Sequence, residues 1–148
     1  MDPSSYDLFI SDIDKERFGV KTARVVGLSK DKLPLVLDFC REENVVLLIA
    51  RCDMTDLEAA QSMEKEGFLL MDTLVFYSFD LAKNDVPSDK EAAIVRPIAP
   101  DEENEMLAVA RESFRGYFGH YHADSRLDRQ MCDEAYADWA RRTFASRE

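Results

Sequence analysis

Apolar residues recur with two different periods along the first 82 residues, and polar or glycine-containing segments separate the runs. A period of two predicts a strand, whereas a spacing of three or four predicts a helix with one buried face. On this basis we predict the order β-β-α-β-α-β, with a polar turn region at 12–16. The predicted strands are 6–10, 20–26, 45–50 and 68–79, and the predicted helices are 33–44 and 57–66.

Three of these segments carry additional signals. Leu33 and Val36 fall on one helical face, and Pro34 fits in the first turn of that helix. The run 45–50 is apolar on both faces, which is typical of a strand in the middle of a covered sheet. The run 68–79 alternates large apolar side chains over its length and predicts a long strand.

The second part of the chain begins after a polar, proline-containing segment, which we interpret as a linker. It is predicted to contain a short strand at 93–96 and two helices, from Pro100 to Phe114 and from Asp128 to Phe144. Strands that alternate with helices predict an α/β fold in which helices cover a sheet. The predicted organisation is an N-terminal domain at 1–82, a linker at 83–92 and a β-α-α segment at 93–148.

Composition narrows the possible partners. The chain has 148 residues, with 19 Lys and Arg against 30 Asp and Glu, so its net charge is −11. This charge opposes binding to nucleic acids or anionic membranes, and no apolar run is long enough to cross a bilayer. Three cysteines without metal-binding spacing suit a reducing compartment, so we predict a cytoplasmic protein whose cysteines are small apolar residues.

Two segments are candidates for binding chemistry. The run 24–29 ends a predicted strand at Gly27, where free backbone N–H groups could meet a phosphate; the alternative is an ordinary turn. The run 114–122 combines four aromatic residues, two histidines and two glycines, which favours either a pocket-lining loop or a connector that packs two helices together. His120 and His122 are the only histidines, so we predict no metal site there.

Several of these segments resemble the GNAT acyl-CoA N-acyltransferases. Ala59, Gly67 and Phe68 match that family's late-helix pattern N-x-x-A-x-x-L-Y-x-x-x-G-F, and Asp56 stands for its Asn. The run 24–29 lies where the family's [RQ]-x-x-G-x-[GA] pyrophosphate loop belongs. The family's tyrosine, which protonates the departing thiolate, is replaced by Met63, and a thioether cannot donate a proton. The second part resembles the opening strand and two helices of a GNAT domain.

The resemblance implies a GNAT-like mixed sheet and the N-terminal portion of an acetyl-CoA-dependent N-acetyltransferase. Its acceptor would be a small-molecule amine, such as the amino group of a nucleotide-linked sugar, as in dTDP-fucosamine acetyltransferase-like enzymes. The implied cofactor contacts are Arg24, Gly27 and Ser29, and the implied acceptor contacts are Tyr117, His120, Tyr121 and His122. No catalytic residue is assigned.

Three interpretations stay open. The chain is a portion that needs a further C-terminal segment or self-association, a non-catalytic GNAT-like module that binds a small molecule or a protein, or a permuted GNAT enzyme. In the permuted arrangement, the segment 94–96 would join the N-terminal strands.

Overall fold

A computed structural model describes residues 6–84 and 96–146. Within them the chain is a mixed α/β protein with one three-stranded sheet and six α-helices. It divides into two compact units, of which one contains the residues up to Met71 together with Phe118–Cys132. The other contains Asp72–Tyr117 and the residues from Asp133 onward. Residues 93–95 of the predicted strand 93–96 and most of the predicted linker 83–92 lie outside the described residues, so those boundaries stay predictions.

The sheet belongs to the first unit. Its strands are β1 (Asp7–Ile10), β2 (Thr22–Val26) and β3 (Leu47–Arg51), in the order β1-β2-β3. β1 and β2 are antiparallel, whereas β2 and β3 are parallel. Three predicted strands and the mixed character of the sheet are confirmed. The central position predicted for the strand at 45–50 is wrong, because β3 pairs only with β2 among the described residues and therefore lies at an edge.

Two predicted helices of this unit are confirmed as α2 (Leu33–Glu42) and α3 (Leu57–Lys65), and a third, α1 (Asp12–Phe18), was not predicted. The expectation of a polar turn at 12–16 is wrong because both ends of this short helix are capped. The Ser11 hydroxyl accepts a hydrogen bond from the Asp14 N–H at the helix start. Gly19 ends the helix in the left-handed conformation, with φ 69°, and its N–H donates to the Lys15 carbonyl.

Replacing Gly19 by Ala is expected to lower the free energy of unfolding by about 1 kcal/mol. A Cβ at this position meets no atom within 4 Å, so the cost comes from the positive φ alone. Gly19→Asn is the matched control, because Asn tolerates the left-handed region better than Ala. Urea unfolding of the three proteins measures the difference, and equal stability of the Ala and Asn variants would contradict this account of the cap.

The strand predicted at 68–79 is absent from the structure, and this prediction is wrong. The segment has no regular secondary structure. Its aromatic side chains after Phe68 are exposed, with Phe76 at 88% and Tyr77 at 94%. A strand forms only when a neighbour satisfies its backbone groups, and no described residue does so here. The alternation in this segment therefore indicates that it can form a strand, although it pairs with no strand among the described residues.

The core of the first unit lies between the sheet and α2. Val25 and Val36 are completely buried, one on the central strand and one on the helix, and Leu28 and Leu33 complete the cluster. Burial of these side chains is the main favourable contribution to the stability of this unit. Partly buried apolar residues surround the cluster: Tyr6, Leu8, Leu37, Cys40, Leu48, Ala50, Met63 and Phe68.

The two helices predicted for the second part of the chain are confirmed. A 3₁₀ turn at Pro100–Glu102 leads into α4 (Glu103–Ser113), and α6 covers Arg129–Ala145. Within the second unit, Phe114 stacks on Tyr136 with ring centroids 3.8 Å apart. A bidentate ion pair joins Arg111 to Glu134. A further short helix, α5 (His120–Ala123), lies in the segment that belongs to the first unit and had been predicted as a loop.

Candidate functional site

The first unit contains a buried polar cluster centred on Asp14 of α1. This carboxylate is completely buried, yet each oxygen has charged or hydroxyl donors. Arg24 of β2 donates from Nε to Oδ2 at 2.5 Å and from Nη2 to Oδ1 at 3.0 Å. The Ser11 hydroxyl donates to Oδ2 at 2.6 Å, and Arg17 Nη1 lies 3.6 Å from Oδ1. The two-point geometry of the arginine fork fixes the orientation of the carboxylate.

Tyr121 of α5 closes this cluster from a distant part of the sequence. Its hydroxyl donates to Asp14 Oδ1 at 2.8 Å, and it accepts from Arg24 Nη2 at 2.5 Å. The tyrosine is 3% exposed, and its ring lies 5.0 Å from that of Phe18. The phenol therefore attaches α5 to both α1 and β2 within the first unit.

The cluster shifts the protonation equilibria of its members in ways that stabilise the ion pair. Burial opposes ionisation of Asp14, but the hydrogen bonds from Arg24, Ser11 and Tyr121 outweigh it and lower the pKa of the carboxyl. Burial also opposes the charge of Arg24, and the contact with Asp14 outweighs it and raises the pKa of the guanidinium. Burial and the hydrogen bond to Asp14 raise the pKa of Tyr121 to about 12. At neutral pH the cluster thus contains a carboxylate, a guanidinium and a neutral phenol.

The residues predicted to contact an acceptor are divided between the two units. His120, Tyr121 and His122 lie on α5 in the first unit, whereas Tyr117 belongs to the second unit. The Gly119 N–H donates to His122 Nδ1 at 3.2 Å, and the His120 ring lies 4.1 Å from the Tyr121 ring. Tyr117 packs edge-on against Phe114 and Tyr136. The buried phenol of Tyr121 is occupied by protein groups, so its observed role is structural.

The three residues predicted to contact a cofactor make different contacts in the structure. The Arg24 guanidinium bonds to Asp14 and Tyr121, as described above. Gly27 is exposed at the end of β2 and adopts a left-handed conformation with φ 76°. The Ser29 carbonyl accepts hydrogen bonds from the N–H groups of Lys32 and Leu33, both at 3.1 Å. Arg24 and Tyr121, predicted for different ligands, therefore contact one another instead.

The turn between β2 and α2 presents consecutive backbone donors. The Leu28 N–H donates to the Arg51 carbonyl at 2.9 Å, but the N–H groups of Ser29, Lys30 and Asp31 donate to no acceptor among the described residues. Two cations flank these donors. Lys30 forms an exposed ion pair with Glu58 at 3.4 Å, and the Lys32 ammonium lies 5.4 Å from the Tyr6 ring centroid. Successive free N–H groups next to cations form a typical anion-binding arrangement.

Sequence reasoning missed Asp14, Ser11 and Arg17. A signal was present, since Ser11 followed three residues later by Asp14 has the spacing of an N-terminal helix cap. That spacing locates the helix start but gives no indication that Asp14 is buried. The partner Tyr121 is 107 residues away, and periodicity reports only local neighbours.

Comparisons of the chain with protein-family models, with curated proteins and with solved structures give no match. Among residues 6–84 and 96–146, no helix has the length and apolar character that a membrane span requires. The same residues contain no group of three or more His, Cys, Asp or Glu side chains placed to hold a metal ion. The functional interpretation therefore rests on local geometry and on the resemblance of individual sequence segments.

Proposed function

We propose that this chain is the acetyl-CoA-binding portion of a GNAT-like N-acetyltransferase that acts on a small-molecule amine. The observation that supports this proposal most directly is the turn at 27–32. A left-handed glycine ends β2, three consecutive N–H groups follow it, and α2 then leads into the parallel strand β3. This is the position at which the resemblance to the GNAT family implies a pyrophosphate loop. Asp31 lies between the two lysines and Lys30 pairs with Glu58, so the proposed phosphate contact is carried mainly by the backbone N–H groups.

Acetyl transfer requires a neutral amine, a polarised thioester carbonyl and a proton for the thiolate. Within the described residues, the proposal assigns only cofactor binding, because the acidic contact of the turn, Glu58 with Lys30, is an ion pair and not a proton donor for the thiolate. Met63 packs against the hydrophobic core and has no proton to donate. The proposal therefore assigns no residue to the transfer step.

A second candidate function is a non-catalytic GNAT-like binding module. The buried phenol of Tyr121 and the half-buried guanidinium of Arg24 favour this alternative, because both groups are hydrogen-bonded to Asp14 and their polar atoms are engaged within the protein. If the ligand is an acyl-CoA, both candidate functions require the turn at 27–32 to bind its phosphate groups. They differ in whether acetyl is passed to an amine.

Calorimetric titration with acetyl-CoA tests the proposed site at Gly27. We expect wild-type binding with a dissociation constant in the micromolar range, about −8 kcal/mol, and loss of that binding in Gly27→Asp. The matched control is Gly27→Asn, which has the same shape and the same tolerance of positive φ but no charge, and which is expected to retain most of the affinity. Equal affinity of the Asp and Asn variants would place the pyrophosphate elsewhere. Absence of wild-type binding would reject acetyl-CoA as the ligand.

A coupled assay for free thiol separates the two candidates once binding is established. Release of CoA that depends on an added amine supports the acetyltransferase. Binding of acetyl-CoA without amine-dependent release of CoA supports the non-catalytic module.

A further inference from the structure

The chain contains an edge strand and a separate strand-like segment that is not paired among the described residues. β3 has one open edge among the described residues, and the segment 73–79 has the composition of a strand but no partner. We infer that a second copy of this chain supplies the missing neighbour, so that the segment 73–79 of each copy pairs with the β3 edge of the other. This inference is independent of the function proposed above.

The open edge of β3 presents unused backbone groups. In a parallel pair, alternate residues direct their N–H and C=O groups toward the neighbouring strand. The Leu47 N–H donates to the Lys21 carbonyl, and the Arg51 carbonyl accepts from the Leu28 N–H, so residues 47, 49 and 51 face β2. Leu48 and Ala50 therefore direct their groups toward the open edge. This edge is a template for another strand.

The apolar run 45–50, which precedes the exposed Arg51 at the end of β3, has the composition of an interior strand. Exposed edges are usually protected by lysine, proline or a bulge, which make pairing with another chain unfavourable. Residues 45–50 contain only Val, Leu, Ile and Ala, and Val46 is 66% exposed. Strands that are apolar on both faces are typical of positions with neighbours on both sides. The sequence thus favours a further strand next to β3.

The segment 73–79 has the properties of that further strand. It reads Thr-Leu-Val-Phe-Tyr-Ser-Phe, without charge, proline or glycine, and it is rich in residues that favour strands. Asp72 and Asp80 flank it and set its length at seven residues. Its large side chains are exposed, including Val75 at 63% and Phe79 at 57%.

The exposed area is sufficient for a specific dimer. An aromatic side chain buries about 150–250 Å², so Phe76, Tyr77 and Phe79 together expose about 500 Å² in each copy. When both copies exchange this segment, the aromatic rings of each copy are buried against the β3 edge of the other copy. The total then exceeds the roughly 1,000 Å² expected of a biological interface. Because each copy both donates and receives a strand, two copies form a closed two-fold dimer in which β3 has a neighbour on both sides.

Sedimentation velocity over a roughly hundredfold concentration range tests the exchange. The wild-type chain is expected to dimerise, and Val75→Pro is expected to weaken the dimer by at least about tenfold, because proline removes a backbone donor and is excluded from paired strands. Val75→Ala is the matched control, since it retains the N–H, and it is expected to weaken the dimer less. A wild-type chain that stays monomeric overturns the inference. Equal dimerisation of the Pro and Ala variants also overturns it, because the interface then lies elsewhere.

A complementation experiment tests whether the donor and acceptor come from different copies. Ala50→Pro removes an N–H group from the β3 edge, so this variant retains its donor segment but receives a partner strand poorly. Mixed with Val75→Pro, it is expected to form a heterodimer through a single exchange, although each variant alone stays largely monomeric. Circular dichroism first checks that both variants are folded; if Ala50→Pro is not, the Val75 pair decides the question. Failure of two folded variants to associate contradicts the exchange.

The dependence of dimerisation on salt concentration is an independent test of the strand exchange. Each copy carries a net charge of −11, so the two copies repel one another at low ionic strength. An interface of backbone hydrogen bonds and apolar side chains is expected to become tighter as salt screens this repulsion. A dimer that dissociates as salt is raised would instead indicate an interface of ion pairs and would contradict the strand exchange.

Discussion

Replacing Asp14 by Asn is expected to lower the free energy of unfolding by about 3–5 kcal/mol. The substitution preserves the shape of the side chain but removes the charge that compensates Arg24. Asp14 is completely buried and the Arg24 side chain is 21% exposed, so the guanidinium cannot recover its lost interaction from water without moving. Breaking one partner of a buried pair costs more than the pair itself contributes, because the remaining charge stays desolvated.

Urea unfolding, followed by circular dichroism, measures this effect. Asp12→Asn is the matched control, because Asp12 lies in the first turn of the same helix but is exposed. That control is expected to change the stability by less than about 1 kcal/mol, which is the usual effect of a surface charge near a helix terminus. A similar loss of stability in both variants would show that the effect comes from the net charge of α1 and not from the buried ion pair.

The pH dependence of the wild type and of Asp14→Asn gives the sign of the effect. The folded-state pKa of Asp14 lies below its usual value, so its contribution to stability is present above the unfolded pKa of about 3.9. This contribution is lost as the pH falls through the lower folded pKa. The amide that replaces the carboxyl does not titrate, so the difference in stability between wild type and Asp14→Asn is expected to decrease in acid.

The sequence predicted the elements whose signals are local. α2 and α3 have apolar positions at helical spacing and recognisable ends, and β1 and β2 lie between polar segments. The wrong strand predictions concern elements whose structure depends on a neighbour that is distant in the sequence. The strand at 68–79 was predicted from alternation, which describes what a segment can do when a neighbour is present. Among the described residues no such neighbour exists, and tertiary context rather than local pattern decided the outcome.

The candidate site was predicted only in part, for the same reason. Arg24 and Tyr121 were each identified, but as contacts of two different ligands, and the residue that joins them was not. Asp14 resembles a surface residue in the sequence, since acidic side chains at helix starts are usually exposed. Its burial follows from the packing of α5 against α1 and β2, in which Arg24 contacts Tyr121 at a sequence separation of 97. A single sequence contains no signal that brings such distant residues together.

Replacing Tyr121 by Phe is expected to remove an alkaline loss of stability of about 3 kcal/mol. In the folded protein, burial and the hydrogen bond to Asp14 raise the pKa of Tyr121 to about 12 from its usual 10.0. Below pH 10 the phenol is neutral in both states, and its stabilising contribution is fully present. Between pH 10 and pH 12 the unfolded chain loses this proton while the folded chain retains it, so unfolding becomes more favourable.

Unfolding free energies of both proteins, measured from neutral to strongly alkaline pH, test this expectation. At neutral pH, Tyr121→Phe is expected to be less stable by about 1–2 kcal/mol, because Asp14 loses a donor. That difference should shrink and then reverse in sign as the pH rises, because the alkaline loss of about 3 kcal/mol occurs only in the wild type and exceeds the difference at neutral pH. Tyr77→Phe serves as the control at protein concentrations at which the chain is monomeric, because Tyr77 is 94% exposed in the single chain and its substitution should leave the alkaline loss unchanged. A constant difference between wild type and Tyr121→Phe across this range would mean that the phenol titrates alike in the folded and unfolded states. The hydrogen bond to Asp14 would then contribute no preference for the neutral form, and the cluster would be more open to water than its geometry indicates.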